Sequence, residues 1–388
     1  MAEYPAVTKV RSKPPLQILS EPLDMWLASV VDPYLAKTPS PSTTNATKEI
    51  HDPVVGRISL SKYEVFILDS PLLQRLRYIR QLGVAHFLFP TTGYSRFEHT
   101  IGARGRAVEM LEALRSRNKP ETPPVSRTDH SYEAALKLGA LFHDVGHCAF
   151  SHVSEKFYGP QSDIQNAITF LNEFMMIDGE ISPSELISIL IVTSPVVRKL
   201  LDASRIPINH SDLEGDKLQN FVVCCIAGSS EATAPNSYLA QIINGPIDCD
   251  KLDYLARDAH MAGTPIALDV GRLVSKLRLA PIKHKKTGAT TYSLGIDISG
   301  ARAVDELLAS RVFLFDKLYF HHKVLAAEEL LRQGLETLKS KFPVIQNPIT
   351  LLPFSDEQLL DLYPLKDIAH LDPSEPEFEV ARDLFARV

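Results

Sequence analysis

Leu138-Gly139-Ala140-Leu141-Phe142-His143-Asp144-Val145-Gly146-His147 is the stretch on which the reading of this chain turns. Residues 132–142 are apolar nearly all round, the pattern of a helix buried on every side. A histidine and an aspartate stand side by side at its end, and burying a carboxylate there is costly unless it is paired or binds a metal. Adjacent helical residues point about a third of a turn apart, so His143 and Asp144 approach one ion from neighbouring directions. Gly146 then ends the helix, as a glycine past a helix terminus does, and His147 and His152 follow. Taken alone, the dipeptide reads equally well as a buried, hydrogen-bonded ion pair.

Two further words supply what a closed site needs. Arg96-Phe97-Glu98-His99-Thr100 puts His99 at the start of a helix over 99–115. Ala103, Ala107, Met110, Leu111 and Leu114 form its apolar face, and His99 lies on the same stripe. Asp248-Cys249-Asp250-Lys251-Leu252-Asp253-Tyr254 is dense in carboxylates at the start of a second helix, over 250–261. Two imidazoles and two carboxylates suit one divalent transition metal, Mn, Fe, Zn, Ni or Co, better than Mg, which prefers all-oxygen shells.

These words resemble the HD superfamily, and within it the deoxynucleoside triphosphate triphosphohydrolases, a group that includes bacterial dGTP triphosphohydrolases and the vertebrate SAM-and-HD-domain enzyme. The ordered H…HD…D signature is matched by His99, His143-Asp144 and Asp250. Flanking words match as well: Gln74-Arg75-Leu76-Arg77-Tyr78-Ile79-Arg80-Gln81-Leu82-Gly83, Ser95-Arg96-Phe97-Glu98-His99, His143-Asp144-x-Gly-His147-x4-His152, and Asp250-Lys251-x2-Tyr254-x2-Arg257-Asp258.

The resemblance implies a mostly α fold, a helical HD core with small β-hairpins. It implies His99, His143, Asp144 and Asp250 as metal ligands, with Mg²⁺ a further expectation alongside the substrate. His147 and His152 match histidines close to the α-phosphate, and Asp248 matches a carboxylate in the same polar network. Arg96, Lys251, Tyr254 and Arg311 fall where the family contacts the triphosphate. Gln81, Leu82, Tyr254 and Asp258 match positions near the deoxyribose, and Tyr319 sits beside sugar or base. Asp69, Gln74 and Arg77 match residues that hold a guanine-nucleotide activator at a subunit interface, although the same word also builds core and an Arg-Asp pair needs no nucleotide. A homo-oligomer, dimer or tetramer, is implied too.

The reaction implied is metal-assisted hydrolysis at the α-phosphorus, giving a deoxynucleoside and triphosphate. Arg96, Lys251 and Arg311 offset the triphosphate charge, Arg96 beside the reacting centre. His147 or His152 gives a proton to the leaving oxygen. Two departures stand out. Ser162-Asp163-Ile164-Gln165 has no histidine where family members often carry a His-Glu pair, and Asp52-Pro53-Val54-Val55-Gly56 has valine where the family has histidine. The first leaves open an HD phosphatase or phosphodiesterase acting on another nucleotide or a nucleic-acid end. A catalytically silent nucleotide-binding protein is the third alternative, against which the complete ligand set argues.

Around this core the sequence divides into a lead-in and linker over 1–50, the HD-type phosphohydrolase domain over 51–340, and a C-terminal helical extension over 341–388. The lead-in reads as loosely structured, with one apolar patch over 23–35 and the turn-forming run Thr38-Pro39-Ser40-Pro41-Ser42-Thr43-Thr44-Asn45. Residues 57–66 read as a short hairpin before a helix over 71–82. Ser182-Pro183-Ser184-Glu185 is a capping-box helix start. Residues 277–282 and 290–296 flank a basic tip as a hairpin, 301–338 reads as one long helix, and 378–388 as a helix without a stop signal, so that the chain is expected to continue beyond it.

The bulk composition narrows the partners. With 388 residues, 45% of them hydrophobic, the chain can bury a sizeable core. A net charge of -6 argues against a chain-wide nucleic-acid footprint, so nucleic acid is not indicated as a partner. Cys148, Cys224, Cys225 and Cys249 form no CxxC pair and read as buried, reduced thiols. The first residues lack the basic and apolar pattern of a signal peptide, and apolar runs such as 221–227 are far too short to span a bilayer. A cytoplasmic location, away from membranes, is the default expectation.

Overall fold

In the computed structural model, which describes residues 5–42, 47–117, 130–177, 179–228, 236, 238–266, 268–283, 290–362 and 372–388, the chain is mostly helical with two small hairpins, as the sequence predicts. Helices α1 (Val7–Val10) and α2 (Gln17–Lys37) precede the antiparallel hairpin of β1 (Thr47–Asp52) and β2 (Gly56–Ser61), in which Thr47 faces Ser61 and Asp52 faces Gly56. Next come α3 (Lys62–Leu68), α4 (Pro71–Gln74), α5 (Arg96–Arg117), α6 (His130–Phe142), α7 (His152–Tyr158), α8 (Ser162–Met175), α9 (Pro183–Val192), α10 (Pro195–Ser204), α11 (Asp216–Ala227), α12 (Tyr238–Ile243), α13 (Cys249–Met261) and α14 (Val270–Val274). The second antiparallel hairpin, β3 (Leu277–Lys283) and β4 (Thr290–Ile296), is followed by α15 (Ala301–Leu314), α16 (His322–Lys341), α17 (Pro348–Leu351), α18 (Asp356–Asp361) and α19 (Pro376–Ala386).

Helix α6 is the centre. Leu136, Leu138, Ala140 and Leu141 are wholly buried, because α5 packs on one side of the helix and α11 on another, while α13 packs along α5. This arrangement carries the ends of α5, α6 and α13 to one place. Ser182 starts α9 as predicted: it accepts the Glu185 N–H while the Glu185 carboxylate accepts the Ser182 N–H. All four cysteines are buried free thiols, and among the described residues no helix is long and apolar enough to cross a membrane.

Several expectations need correction. The lead-in is not loose: Leu19, Leu23, Leu27 and Val31 of α2 are buried against α9 and α10. Pro22 and Pro33 lie inside that helix and break its apparent continuity in sequence, but burial of the leucine stripe outweighs their local cost. The first hairpin lies earlier than expected, over 47–61. Val65 and Phe66 belong to α3, which Ser61 and Glu64 cap reciprocally. The predicted helix over 71–82 is only α4 plus a 3-10 turn, Arg75–Tyr78, after which Arg80 bridges to Ser95. The predicted helix over 301–338 is two helices joined through a π-helical turn, Phe315–Tyr319. The basic tip of the second hairpin lies outside the described residues apart from Lys283.

Gly146 also has a different role. Helix α6 already ends at Phe142, and a Cβ at Gly146 would collide with the backbone of Ser184 and Ser188 at the start of α9. The glycine is there for close approach, not for a left-handed helix stop. Buried residues from all three sequence segments, Leu27, Leu141 and Phe378 among them, belong to one core cluster. Replacing Leu27 by alanine should cost about 2–5 kcal/mol of stability in urea unfolding, whereas Met25→Ala, on the same helix but 76% exposed, should stay within about 0.5 kcal/mol.

Candidate active site

His99 stands in the first turn of α5, His143 and Asp144 in the turn that follows α6, and Asp250 in the first turn of α13. His99 Nε2 lies 3.2 Å from His143 Nε2, 3.0 Å from Asp250 Oδ1 and 3.7 Å from Asp144 Oδ2. His143 Nε2 lies 3.6 Å from Asp144 Oδ1 and 3.8 Å from Asp250 Oδ1. The remaining nitrogens are committed: His99 Nδ1–H donates to Asp253 Oδ2 at 2.9 Å, and His143 Nδ1–H to the Ala140 carbonyl at 2.8 Å. A neutral imidazole with its hydrogen on Nδ1 presents only a lone pair at Nε2, so once both rings have given up the Nε2 proton two such lone pairs converge here with carboxylate oxygens around them.

That donor set fits a metal ion. Ligand atoms about 2.0–2.2 Å from one ion stand roughly 3–3.6 Å from each other, close to the separations found. His99, His143 and Asp144 alone bring three ligand atoms within 4.8 Å of one another. The electrostatics agree. Burial opposes charge on His99, but Asp250 and Asp253 outweigh it and raise its pKa to about 10. Burial likewise opposes ionisation of Asp144, yet Arg96, His143 and His147 hold its carboxyl well below the usual range. A positive charge is favoured between these groups.

A buried chain of partners supports His99. Arg257 donates Nε and Nη2 to the two Asp253 oxygens at 2.8 Å each, and Nη1 to Asp52 at the end of β1, also at 2.8 Å. Gly102 makes room for it, since a Cβ there would collide with Asp253 and Arg257. Beside the other ligands, Arg75 donates to the carbonyls of Val145 and His147 and so fixes the turn around Asp144.

Three members of this cluster, His143, Asp144 and Asp250, line a cavity of about 1150 Å³. Gln81, Leu82, Arg96, His143, Asp144, His147, His152, Asp250, Lys251, Tyr254, Asp258 and Tyr319 line it; His99 and Asp248 are buried. Arg96 donates to Asp144 and, through Nε, to Ser151 Oγ at 2.8 Å. Asp248 caps α13 by accepting the Lys251 N–H and also accepts the Lys251 ammonium; burial and Asp250 push its carboxyl up to about 6 against Lys251. Asp258 accepts hydroxyls from Tyr94 and Tyr319. Three buried polar atoms of the cavity residues, Arg96 Nη2, Gln81 Oε1 and His147 Nδ1, have no protein partner.

Other predicted residues lie elsewhere. Arg311 is exposed on α15, its guanidinium 5.4 Å from the Phe315 ring. Asp69 borders a separate hollow of about 330 Å³ with Tyr34, Lys48 and Lys62. Gln74 accepts from Arg77 at 2.7 Å, and the Arg77 guanidinium lies 3.7 Å from the Phe97 ring centre.

Sequence reasoning passed over Asp52, Asp253, Arg257 and Glu155. Glu155 lines the cavity, accepting from His152 Nδ1 at 3.0 Å and from the Ser184 N–H and hydroxyl at 3.0 and 2.8 Å. Its signal was available, for His152 and Glu155 are three apart on one helix and so face the same way. Phe150 and Ser151, just before α7, have φ of 56° and 47°, a region costly for residues with a Cβ.

No family model matches the chain. Over 291 residues it is 29% identical to the deoxynucleoside triphosphate triphosphohydrolase SAMHD1 of Xenopus laevis, covering 70% of this chain and 42% of that protein. Over 260 residues it is 31% identical to the SAMHD1 of Gallus gallus, covering 63% of this chain and 39% of that one. The chain thus spans about two fifths of the length of these curated relatives, 42% and 39%. A crystal structure of a hypothetical protein from Aquifex aeolicus is similar with a TM-score of 0.61 and 26% identity, over 88% of this chain and 76% of that one.

Asp253→Asn should leave His99 in place but remove the carboxylate that fixes its tautomer. Competition with a chelator should then give a Mn²⁺ or Zn²⁺ affinity weaker by about 10–100-fold.

Proposed function

The chain is related to the HD-superfamily deoxynucleoside triphosphate triphosphohydrolases, and from that premise we propose that it is a metal-dependent hydrolase cleaving dNTPs at the α-phosphorus to a deoxynucleoside and triphosphate. The observation that carries the reading is the convergence of His99 and His143, Nε2 to Nε2 at 3.2 Å with both Nδ1–H groups committed elsewhere, beside a cavity that His143 lines and that is large enough for a nucleotide. His99, His143, Asp144 and Asp250 would hold the ion. Once bound, a divalent metal supplies Lewis acidity and lowers the pKa of water.

The chain's own groups do the rest. Arg96, tied to Asp144 and Ser151 in the cavity wall, presents a fixed positive charge to the α-phosphate, suited to charge that develops during cleavage. Lys251, braced by Asp248 and the Gly245 carbonyl, and Arg311 at greater distance take the outer phosphates. His147, pushed down to about 4 by burial and Arg96, stands neutral at pH 7 with its Nε2 3.5 Å from Asp144 and helps orient the substrate from the cavity wall. His152, whose ring Glu155 fixes through Nδ1, keeps Nε2 for proton transfer to the leaving oxygen. Gln81 Oε1, Leu82, Tyr254 and the Asp258–Tyr319 pair surround the sugar. A nucleotide activator at Asp69, Gln74 and Arg77, Mg²⁺ arriving with the substrate, a homo-oligomeric assembly and a cytoplasmic site of action belong to the same proposal.

One observation favours a second reading, an HD phosphatase or phosphodiesterase on another nucleotide or a nucleic-acid end. The α8 residue that lines the cavity is Gln165, and the segment over 162–165 contains no histidine. The two readings separate on products. The chain is incubated with each of the four dNTPs and Mn²⁺, with and without GTP, and products are resolved by anion exchange. Deoxynucleoside plus triphosphate is expected, with the rate lowered by roughly 10³-fold or more in Asp144→Ala and abolished by chelation. Nucleoside monophosphate plus pyrophosphate would overturn the proposed cleavage position.

A further inference from the structure

Helix α18 brings one buried carboxylate to the edge of the cavity from the far end of the chain. Ser355 and Gln358 cap the helix reciprocally, which leaves the Asp356 side chain free to turn inward, where it is only 2% exposed. Its Oδ2 accepts the Arg80 N–H at 2.8 Å and its Oδ1 the Phe150 N–H at 2.7 Å. Each amide belongs to a segment that supplies cavity residues: Arg80 precedes Gln81 and Leu82, and Phe150 precedes Ser151 and His152.

The second segment needs holding. Phe150 and Ser151 are consecutive non-glycine residues in the left-handed region, which L-residues avoid unless surrounding contacts over-determine them. Ser151 donates to the Arg80 carbonyl at 3.0 Å and accepts from Arg96 Nε, so the two segments and Arg96 are tied at one hydroxyl, and Asp356 closes the ring from outside. Burial pushes the Asp356 carboxyl up to about 6, against the two amide hydrogen bonds. A carboxylate kept in so unfavourable a setting is held by what it binds.

We infer that Asp356 is a positioning residue for the cavity: by clamping the Arg80 and Phe150 amides together it fixes the left-handed Phe150–Ser151 turn, and through it the placement of Arg96 and His152 relative to Gln81 and Leu82. The C-terminal segment is therefore part of the site's scaffold. The effect on turnover rests on the phosphohydrolase reading; the effect on the two segments does not.

The test uses the full chain with Asp356→Asn, which puts an amino group against an amide donor and so breaks one arm of the clamp. Glu357→Gln is the control, because Glu357 is exposed and, among the described residues, pairs with the half-buried Arg80 guanidinium and not with either clamped amide. Hydrogen exchange read by mass spectrometry should quicken at least about tenfold in peptides over 79–82 and 148–158 of Asp356→Asn, with peptides from α10 and α11 unchanged and the control like wild type. In steady state kcat should fall roughly 10- to 100-fold, as a misplacement of about 1 Å does. KM should rise by a smaller factor than kcat falls, because Asp250, Lys251 and Tyr254, which also hold the substrate in that reading, stand on α13.

Unchanged exchange in the two segments, or a uniform rise along the chain, would overturn the inference, as would local exchange changes with kcat intact. If the wild-type chain turns over no dNTP while Asp356→Asn still shows the local exchange change, the phosphohydrolase reading falls and the clamp stands. Should Asp356→Asn not fold, Ser355→Ala, which only loosens the first turn of α18, is read in the same peptides for the same pattern.

Discussion

Two imidazole lone pairs aimed at one point 3.2 Å apart repel unless something positive stands between them, and much of this structure is arranged to sustain that confrontation. His99 and His143 come from different helices, and each has its other nitrogen anchored, one to a carboxylate and one to a backbone carbonyl. Neither ring can turn away without stranding a buried polar group. Asp144 and Asp250 flank the pair with negative charge, so the cluster is stable to the extent that a cation, proton or metal, is shared among its members.

The demand propagates outward. To keep the tautomer of His99, Asp253 must stay ionised while buried, which requires Arg257; Arg257, wholly buried itself, requires Asp52. A buried ion pair is favourable only when its remaining hydrogen-bonding capacity is met, and here the first hairpin meets it by carrying Asp52 down to α13. Helix α5 must come close enough for the network to form, which is why position 102 has no side chain. The hairpin thus takes part in the metal-ligand geometry, although no residue of it touches the cluster.

How much of this the sequence disclosed follows from distance along the chain. His99, His143-Asp144 and Asp250 were legible because each sits in a local word whose residue types carry chemistry, and the Ser182 start of α9 because a capping box is a four-residue affair. Asp253 and Arg257 were in plain view, but their partners are not: His99 is 154 positions from Asp253, and Asp52 is 205 from Arg257. Asp356 lies 206 and 276 positions from the amides it binds. Only the fold makes such pairs. The helix errors have a local cause. Prolines inside α2 and a π-helical turn after α15 break the 3.6-residue period without breaking the packing, so periodicity marks breaks where burial finds none, or runs across a real one.

Beside this network, among other places, the protein leaves bonds unmade. Its charged groups around the ligands are paired, several of them twice, yet Arg96 Nη2, Gln81 Oε1 and His147 Nδ1 remain buried and unpartnered, all on residues lining one cavity. An unmet polar group out of water costs about 1–3 kcal/mol, and the left-handed Phe150–Ser151 turn adds strain on the same wall. A fold optimised for stability alone would have paired or removed these groups. The cavity is held, by Asp356 and Ser151 on one side and by Arg75 and Gly146 on the other, in a shape that leaves these three polar atoms unmet just behind its wall, so part of the cost of that shape is concentrated at the site.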